Sequence, residues 1–435
     1  MSKPVRIAVF AVLALIVLIF LAMQVPGVRT RFEIWSAELS YRLNPPDEVV
    51  FIPSEGQKLI DLYVSATLAV HLATATPTPI PQTPTETPSG PTPTPTETPL
   101  PTQTPTPLPE AAAIDGVEFQ TQRGLWNYCG PSTLAMAISF WGDKVLREEV
   151  GTVLRGGTPQ ERTDDKNVMP YEIENYILEH TGLRIYLRTG GNLELLKALV
   201  AAGFPVVIEK HDTLQDIGWV GHYLLITGFD DAAGEFISMD AYHGADSRYT
   251  YEDIEAAWRA FNYLFYVVYP PEHETAVSSI LGPYVDYDWA TQHALDLANS
   301  ETATQTGRAL FYAWFNVGMS LVNQFDYGPA STAFDTAFAV YADLENSERP
   351  WRMMWYQTGP YFAYYYSGRY FDVINLADQT LDAMTRPILE ESFYWRGLAK
   401  EALGDVPGAI ADLAESVALN PNFDAGWAQL ARLQP

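Results

Sequence analysis

Cys129 is the single cysteine of a 435-residue chain. A lone thiol has no intramolecular partner for a disulfide, so it is either core filler or a nucleophile. It stands in Trp126-Asn127-Tyr128-Cys129-Gly130-Pro131, ahead of small and apolar residues whose pattern predicts a helix over 132–141. Proline is tolerated in the first helical turn because its missing N–H has no intrahelical partner to lose. A thiol at the start of that helix meets the positive end of the macrodipole, which stabilises a thiolate.

A thiolate nucleophile needs a base, a group that orients the base, and donors for the developing oxyanion. The chain has seven histidines. His71 precedes a Thr/Pro-rich stretch, His273 and His293 follow the mixed region described below, His180 lies near a helix end and His211 follows a strand. His222 and His243 remain. His222, in Trp219-Val220-Gly221-His222-Tyr223, opens an apolar strand, and Gly221 reads as leaving access beside the ring. A base on a strand is held more firmly than one on a loop. His243, in Ala241-Tyr242-His243-Gly244-Ala245-Asp246, reads as part of an exposed loop, so His222 is the expected base.

Asp230, Asp231, Asp240 and Asp246 compete to orient it. Asp230 and Asp231 fall in a predicted turn, where aspartate is ordinary. If the hairpin centres on Ala232, His222 lies opposite Tyr242 and Asp240 is a diagonal neighbour on the same face. A slip of one residue would move Asp240 to the other face.

The elements that must position these residues follow from periodicity. Helical patterns cover 132–141, 171–181 and 192–202, with Asn192 as N-cap and Gly182 and Gly203 where helices stop. The period then changes, and 204–209, 219–227, 235–240 and 263–269 read as strands, interrupted by a helix capped at Thr250. Helices first and an antiparallel sheet after them make an α+β domain over 112–271. Met136, Trp141 and the aromatics of 171–176 read as its core.

The combination of Gln, Trp-Asn-x-Cys-Gly-Pro, Leu-Ala-Met-Ala, a strand-borne Gly-His-Tyr and an Asp ending the next strand resembles the papain-like cysteine peptidases. More narrowly, over 117–270 it is similar to the bacteriocin-processing, double-glycine-leader peptidase group and its stand-alone relatives. The resemblance implies Cys129 as nucleophile, His222 as general base and Asp240 as the orienting carboxylate. It also implies an oxyanion glutamine about six residues before the cysteine, where this chain has Arg123. An extra residue in the Gly124-Leu125-Trp126 loop would restore Gln122, chosen over Gln120. The backbone N–H of Cys129 would be the second donor. The implied reaction is amide hydrolysis through a thioester; alternatives are a non-catalytic peptide-binding or scaffold protein on the same fold, and a transferase passing the thioester to an amine.

Outside this domain the chain changes character. Lys3 and Arg6 precede an apolar run over 7–23, at the lower edge of what spans a bilayer, with no small-x-small cleavage site at its end. A membrane anchor over 1–27 is expected, with an extracytoplasmic body; secretion after signal cleavage is the alternative. Residues 28–73 receive no function, and 74–111 form a Thr/Pro-rich linker. At about 3 Å per residue such a spacer could hold the body up to about 100 Å from its anchor. Residues 286–435 are helical, and Trp314, Gly318, Tyr327, Ala330, Phe334 and Ala337 fall at the spacing of tetratricopeptide repeats. A second copy carries Gly397, Gly404, Ala409, Leu413 and Pro421, with a degenerate one at 361–381 and a closing helix at 424–433. Such repeats imply a protein partner. A net charge of −27 argues against a nucleic-acid surface, and the chain lacks paired CxxC, HExxH and a phosphate-cradling glycine loop. The proposed chemistry calls for no metal and no cofactor.

Overall fold

The computed structural model describes residues 50–53, 107–125, 127–156, 168–214 and 218–434, with a few positions between 21 and 43. Most of the expected anchor, the segment before the linker, the linker itself and Trp126 therefore lie outside the described residues. Among those described, no helix is long and apolar enough to cross a membrane.

The first unit begins with a short strand β1 (Ala111–Ala113), then helices α1 (Cys129–Ser139), α2 (Arg147–Leu154) and α3 (Pro170–His180). Strand β2 (Arg184–Arg188) and helix α4 (Leu193–Ala201) follow. Next come β3 (Val206–Leu214), β4 (Gly218–Asp230), β5 (Glu235–Asp240) and β6 (Gly244–Thr250), then helix α5 (Tyr251–Trp258) and β7 (Phe265–Tyr269). The strands form one antiparallel sheet in the order β2-β7-β3-β4-β5-β6, with β1 also paired to β4. The α+β expectation fits.

Strands β3, β4 and β7 are buried on both faces, which is why they read as nearly continuous apolar runs. Val207, Tyr223, Leu225 and Tyr266 face α1, where Leu134 and Ile138 meet them. Val206, Ile208, Leu224 and Phe265 point the opposite way, towards α4 and α5 through Leu196, Leu199 and Trp258. Asn192 caps α4 by accepting from Leu195 N at 2.9 Å, and Thr250 caps α5 by accepting from Asp253 N at 3.1 Å. Both caps satisfy N–H groups that the helix itself cannot.

The sequence pattern leaves β1, β2, β6 and α2 unpredicted. Strand β6 is a polar edge strand, Gly-Ala-Asp-Ser-Arg-Tyr-Thr, and β1 has three residues, so neither shows an apolar alternation. Tyr171, read as core, is exposed on α3, whereas Met136 and Tyr176 are buried.

Helix α6 (Glu274–Leu281) leads into an all-helical unit, beginning before the expected start at 286. It comprises α7 (Tyr287–Thr302), α8 (Gly307–Asn323), α9 (Tyr327–Asp343), α10 (Met353–Tyr356), α11 (Gly359–Tyr366), α12 (Tyr370–Asp382), α13 (Glu390–Ala402), α14 (Val406–Leu419) and α15 (Asp424–Leu433). Helices pack as hairpins α8–α9, α11–α12 and α13–α14, with α15 against the last. Close approach explains the small residues: a Cβ on Gly318 would lie 2.6 Å from the Phe334 ring, and one on Gly397 3.2 Å from the Ala409 carbonyl. Buried Arg369 forks onto Asp335 at 2.8 and 2.9 Å, tying α9 to the start of α12.

The helical unit packs on the rim of the sheet. Trp219 Nε1 donates to Tyr312 at 2.7 Å, Arg352 Nη1 to the Trp219 carbonyl at 3.1 Å, and Gln357 Nε2 to the Ala260 carbonyl at 2.7 Å. One apolar core runs without interruption from Leu134 and Leu225 to Phe311, Phe334 and Tyr361.

Candidate active site

Helix α1 starts at Cys129 itself rather than just after it, with Tyr128 as N-cap and Pro131 within the first turn. The N–H of Cys129 therefore has no intrahelical acceptor. Gly130 allows this helix to sit tight on the sheet: a Cβ there would lie 3.1 Å from Val168 and 3.5 Å from the Tyr223 ring. Thr133 Oγ1 donates to the Tyr223 carbonyl at 3.3 Å, and Trp141 Nε1 to that of Val268 at 2.8 Å. Cys129 is thereby fixed beside β4 and is buried.

His222 Nε2 is 2.9 Å from Asp240 Oδ1, and both side chains are buried. The pairs Leu225↔Met239 and Ile226↔Ser238 have the register expected from a centre on Ala232. Nearer the turn, Gly228↔Ile237 to Asp230↔Glu235 are displaced by one residue, and a bulge between Ile226 and Gly228 takes up the difference. With Nε2 committed to Asp240, Nδ1 is the nitrogen left for Cys129, which lines the same cleft as His222. Asp240 also accepts from Tyr249 at 2.6 Å and from the N–H groups of Tyr242 and His243 at 2.8 and 2.9 Å. A carboxylate with so many donors is rigid and strongly anionic.

Burial would raise the Asp240 carboxyl, but the charge and hydrogen bond of His222, with Tyr249 and the backbone, hold it well below the ordinary carboxylate range. Burial would lower His222, but Asp240 and then Cys129 outweigh it and push it up to about 10. Burial would raise Cys129, yet the hydrogen bond and charge of His222 bring the thiol below its ordinary value. All three shifts favour a thiolate–imidazolium pair backed by a carboxylate.

Gln122 lines the same cleft as Cys129 and His222, a cavity of about 510 Å³. Its backbone N–H donates to the Ala241 carbonyl at 2.8 Å, so the turn after Asp240 fixes both residues. Its Oε1 is buried without a hydrogen-bond partner among the described residues. Gln120 is used otherwise: its Nε2 donates to the Val145 carbonyl and its Oε1 accepts from Arg147 N, each at 2.8 Å. The displaced spacing is taken up in the loop. Leu125 N bonds the Gln122 carbonyl at 3.0 Å, and Gly124 at φ +86° supplies the left-handed third position of that turn.

Residues 114–266 match the family model described as the Peptidase_C39 like family. The matched stretch spans the sheet and the helices that carry Cys129, His222 and Asp240, about a third of the chain. It is also similar to a protein described as a C39-like peptidase from Bacillus anthracis, with 18% identity, a TM-score of 0.31, and coverage of 37% of this chain and 98% of that one. Comparison with curated proteins finds no match.

Of the other candidates, His243 pairs with Asp212, a residue lining this cleft, at 2.7 Å, and Lys210 Nζ lies 3.6 Å from the same carboxylate. His211 lies inside β3, bonded to the Ala257 carbonyl at 3.2 Å, and His180 meets the Tyr176 ring in a tilted contact at 5.1 Å. Gly221 lines the cleft beside His222, and its missing side chain serves packing as well. A Cβ there would lie 2.5 Å from the Tyr356 ring and 2.8 Å from Phe261, so the missing side chain makes room for the helical unit.

Sequence reasoning missed four features. Tyr249 lies in the unpredicted β6. Arg352, Trp355 and Tyr356 line the cleft from α10 and the residue before it, a contact between units that no local pattern announces. Asp212 lies at the end of β3, beyond its predicted extent. Glu209 is buried, and burial, reinforced by the charge of Cys129, raises its carboxyl well above the usual range. An acidic residue in an otherwise apolar run was the available signal for Glu209.

Proposed function

We propose that the chain is an exported, membrane-anchored cysteine peptidase or amidohydrolase acting on a peptide or protein. The observation that carries this reading is that Cys129 and His222 line one open cleft, with His222 held by a buried hydrogen bond to Asp240. The Cys129 thiolate attacks the amide carbonyl carbon, forming a C–S bond as the carbonyl electrons move to oxygen. Gln122 and the N–H of Cys129 donate to that oxyanion. When it collapses, the C–N bond breaks and the amine leaves with the proton from His222. Water, deprotonated by His222, then hydrolyses the thioester and restores the thiol.

Export and anchoring rest on the apolar run over 7–23 and the Thr/Pro-rich tract. The helical hairpins are read as tetratricopeptide-like units that hold a protein partner, on the small-residue spacing at Gly318 and Gly397.

The test is cleavage of a mixed peptide pool, with products mapped by mass spectrometry, followed by kinetics on a cleaved peptide. Wild type should give defined cuts. Gln122→Ala should lower kcat about 10²-fold with little change in KM, because its donor is used only as the oxyanion forms. No cleavage by wild type, or a variant altered only in KM, would count against the reading.

A further inference from the structure

Residues 50–53 precede the Thr/Pro-rich stretch and carry no predicted element, yet they are seated on the helical unit. Phe51 is 5% exposed and Ile52 is 72% exposed, while Pro53 is buried again. That alternation is the signature of an extended strand lying in a groove, with every second side chain turned inward. The Phe51 ring meets Phe338 edge-on at 4.9 Å and Tyr364 at 6.0 Å. Beside it a cavity of about 450 Å³ stays open, lined by Phe51 itself with Phe311, Phe338, Tyr341, Met353 and Leu376. Aromatic and methionine walls of this kind suit an aromatic side chain.

We propose that this groove is a binding site for an extended apolar segment with an aromatic residue two positions before a proline, occupied in part in cis by the segment of Phe51. The inference does not rest on the hydrolase reading. The groove adjoins the cleft through α10, whose Met353 and Met354 line the first and whose Trp355 and Tyr356 line the second. A covalently attached occupant competes at high effective concentration, so the groove of the wild-type chain is closed to a weak ligand in trans.

The experiment is fluorescence polarisation with a labelled synthetic peptide copying residues 48–55, titrated with the full chain and with its Phe51→Ala variant. The variant should bind the peptide at least about tenfold more tightly than wild type, because its own segment no longer competes. A peptide with aspartate in place of the phenylalanine should bind neither protein. Phe51→Leu, which keeps an apolar filler, should fall between the two and serves if the alanine variant does not fold. Equal binding to all proteins, binding of the aspartate peptide, or no binding by the variants would overturn the proposal.

Discussion

Cys129→Ala should reduce peptide hydrolysis by at least about 10⁴-fold, leaving the fold and peptide binding intact. Removing a nucleophile ends covalent catalysis outright, and what survives is the contribution of binding and oxyanion donors. The loss should fall on kcat. Cys129 contributes little volume to the core, so the melting temperature should move by only a few degrees. Because the chain has one cysteine, no other thiol can substitute. An alanine variant that cleaves as well as wild type would assign the hydrolysis to another site or to a contaminant.

Asp240→Asn should cost about 10³- to 10⁴-fold in kcat, through the imidazole rather than through substrate contact. Asp240 holds Nε2 of His222 at 2.9 Å, leaving Nδ1 for the thiol. An amide can present its NH₂ to Nε2 and favour the wrong tautomer. The pH profile should move as well. Activity requires the thiolate and the protonated imidazole together, and His222 stands at about 10 in the native site. The acid limb therefore belongs to thiolate formation and the alkaline limb to loss of the imidazolium proton, each as a property of the coupled pair. Without the charge of Asp240, burial is left to lower His222, and the alkaline limb should shift to lower pH.

The same pair has a stability signature. Asp240 is depressed in the folded state, so its contribution is present above the unfolded value of about 3.9 and is lost as pH falls below it. His222 is raised, so its contribution is complete below about 6.5 and fades as pH climbs towards its folded value. Thermal unfolding of wild type against Asp240→Asn should therefore differ most between those limits. An equal difference at all pH values would mean that the aspartate only fills space.

Much of the peptidase-like domain was legible because its signals are local. The helix after Cys129 follows from small apolar residues and a first-turn proline. The caps at Asn192 and Thr250 mark their helices, and a polar turn marks the hairpin, although a bulge between Ile226 and Gly228 shifts the register that counting outward from the turn would give. Those local signals single out Cys129 and His222 and make Asp240 a candidate partner on the next strand. Gln122 required one more step, since its spacing depends on a turn that only Gly124 hints at. What could not be read was non-local. Tyr249 reaches Asp240 from a polar edge strand, and Tyr356 fills the space left by Gly221 from the other unit, 135 positions later in the chain. Gly221 shows the ambiguity well. A glycine beside a catalytic-type histidine reads as access, and the same absence of a side chain serves equally to admit a ring. Phe51 carries no signal for a related reason, since the apolar run Val49-Val50-Phe51-Ile52 is too short to show a period.

The central claim is that His222 and Asp240 hold Cys129 as a thiolate, and the rate of Cys129 alkylation by iodoacetamide as a function of pH tests it most directly. As the only cysteine, it reports without interference. The arrangement predicts an inflection clearly below the ordinary thiol value of about 8.5, moving up in His222→Ala. An inflection at or above that value in wild type, or one that His222→Ala leaves in place, would contradict it.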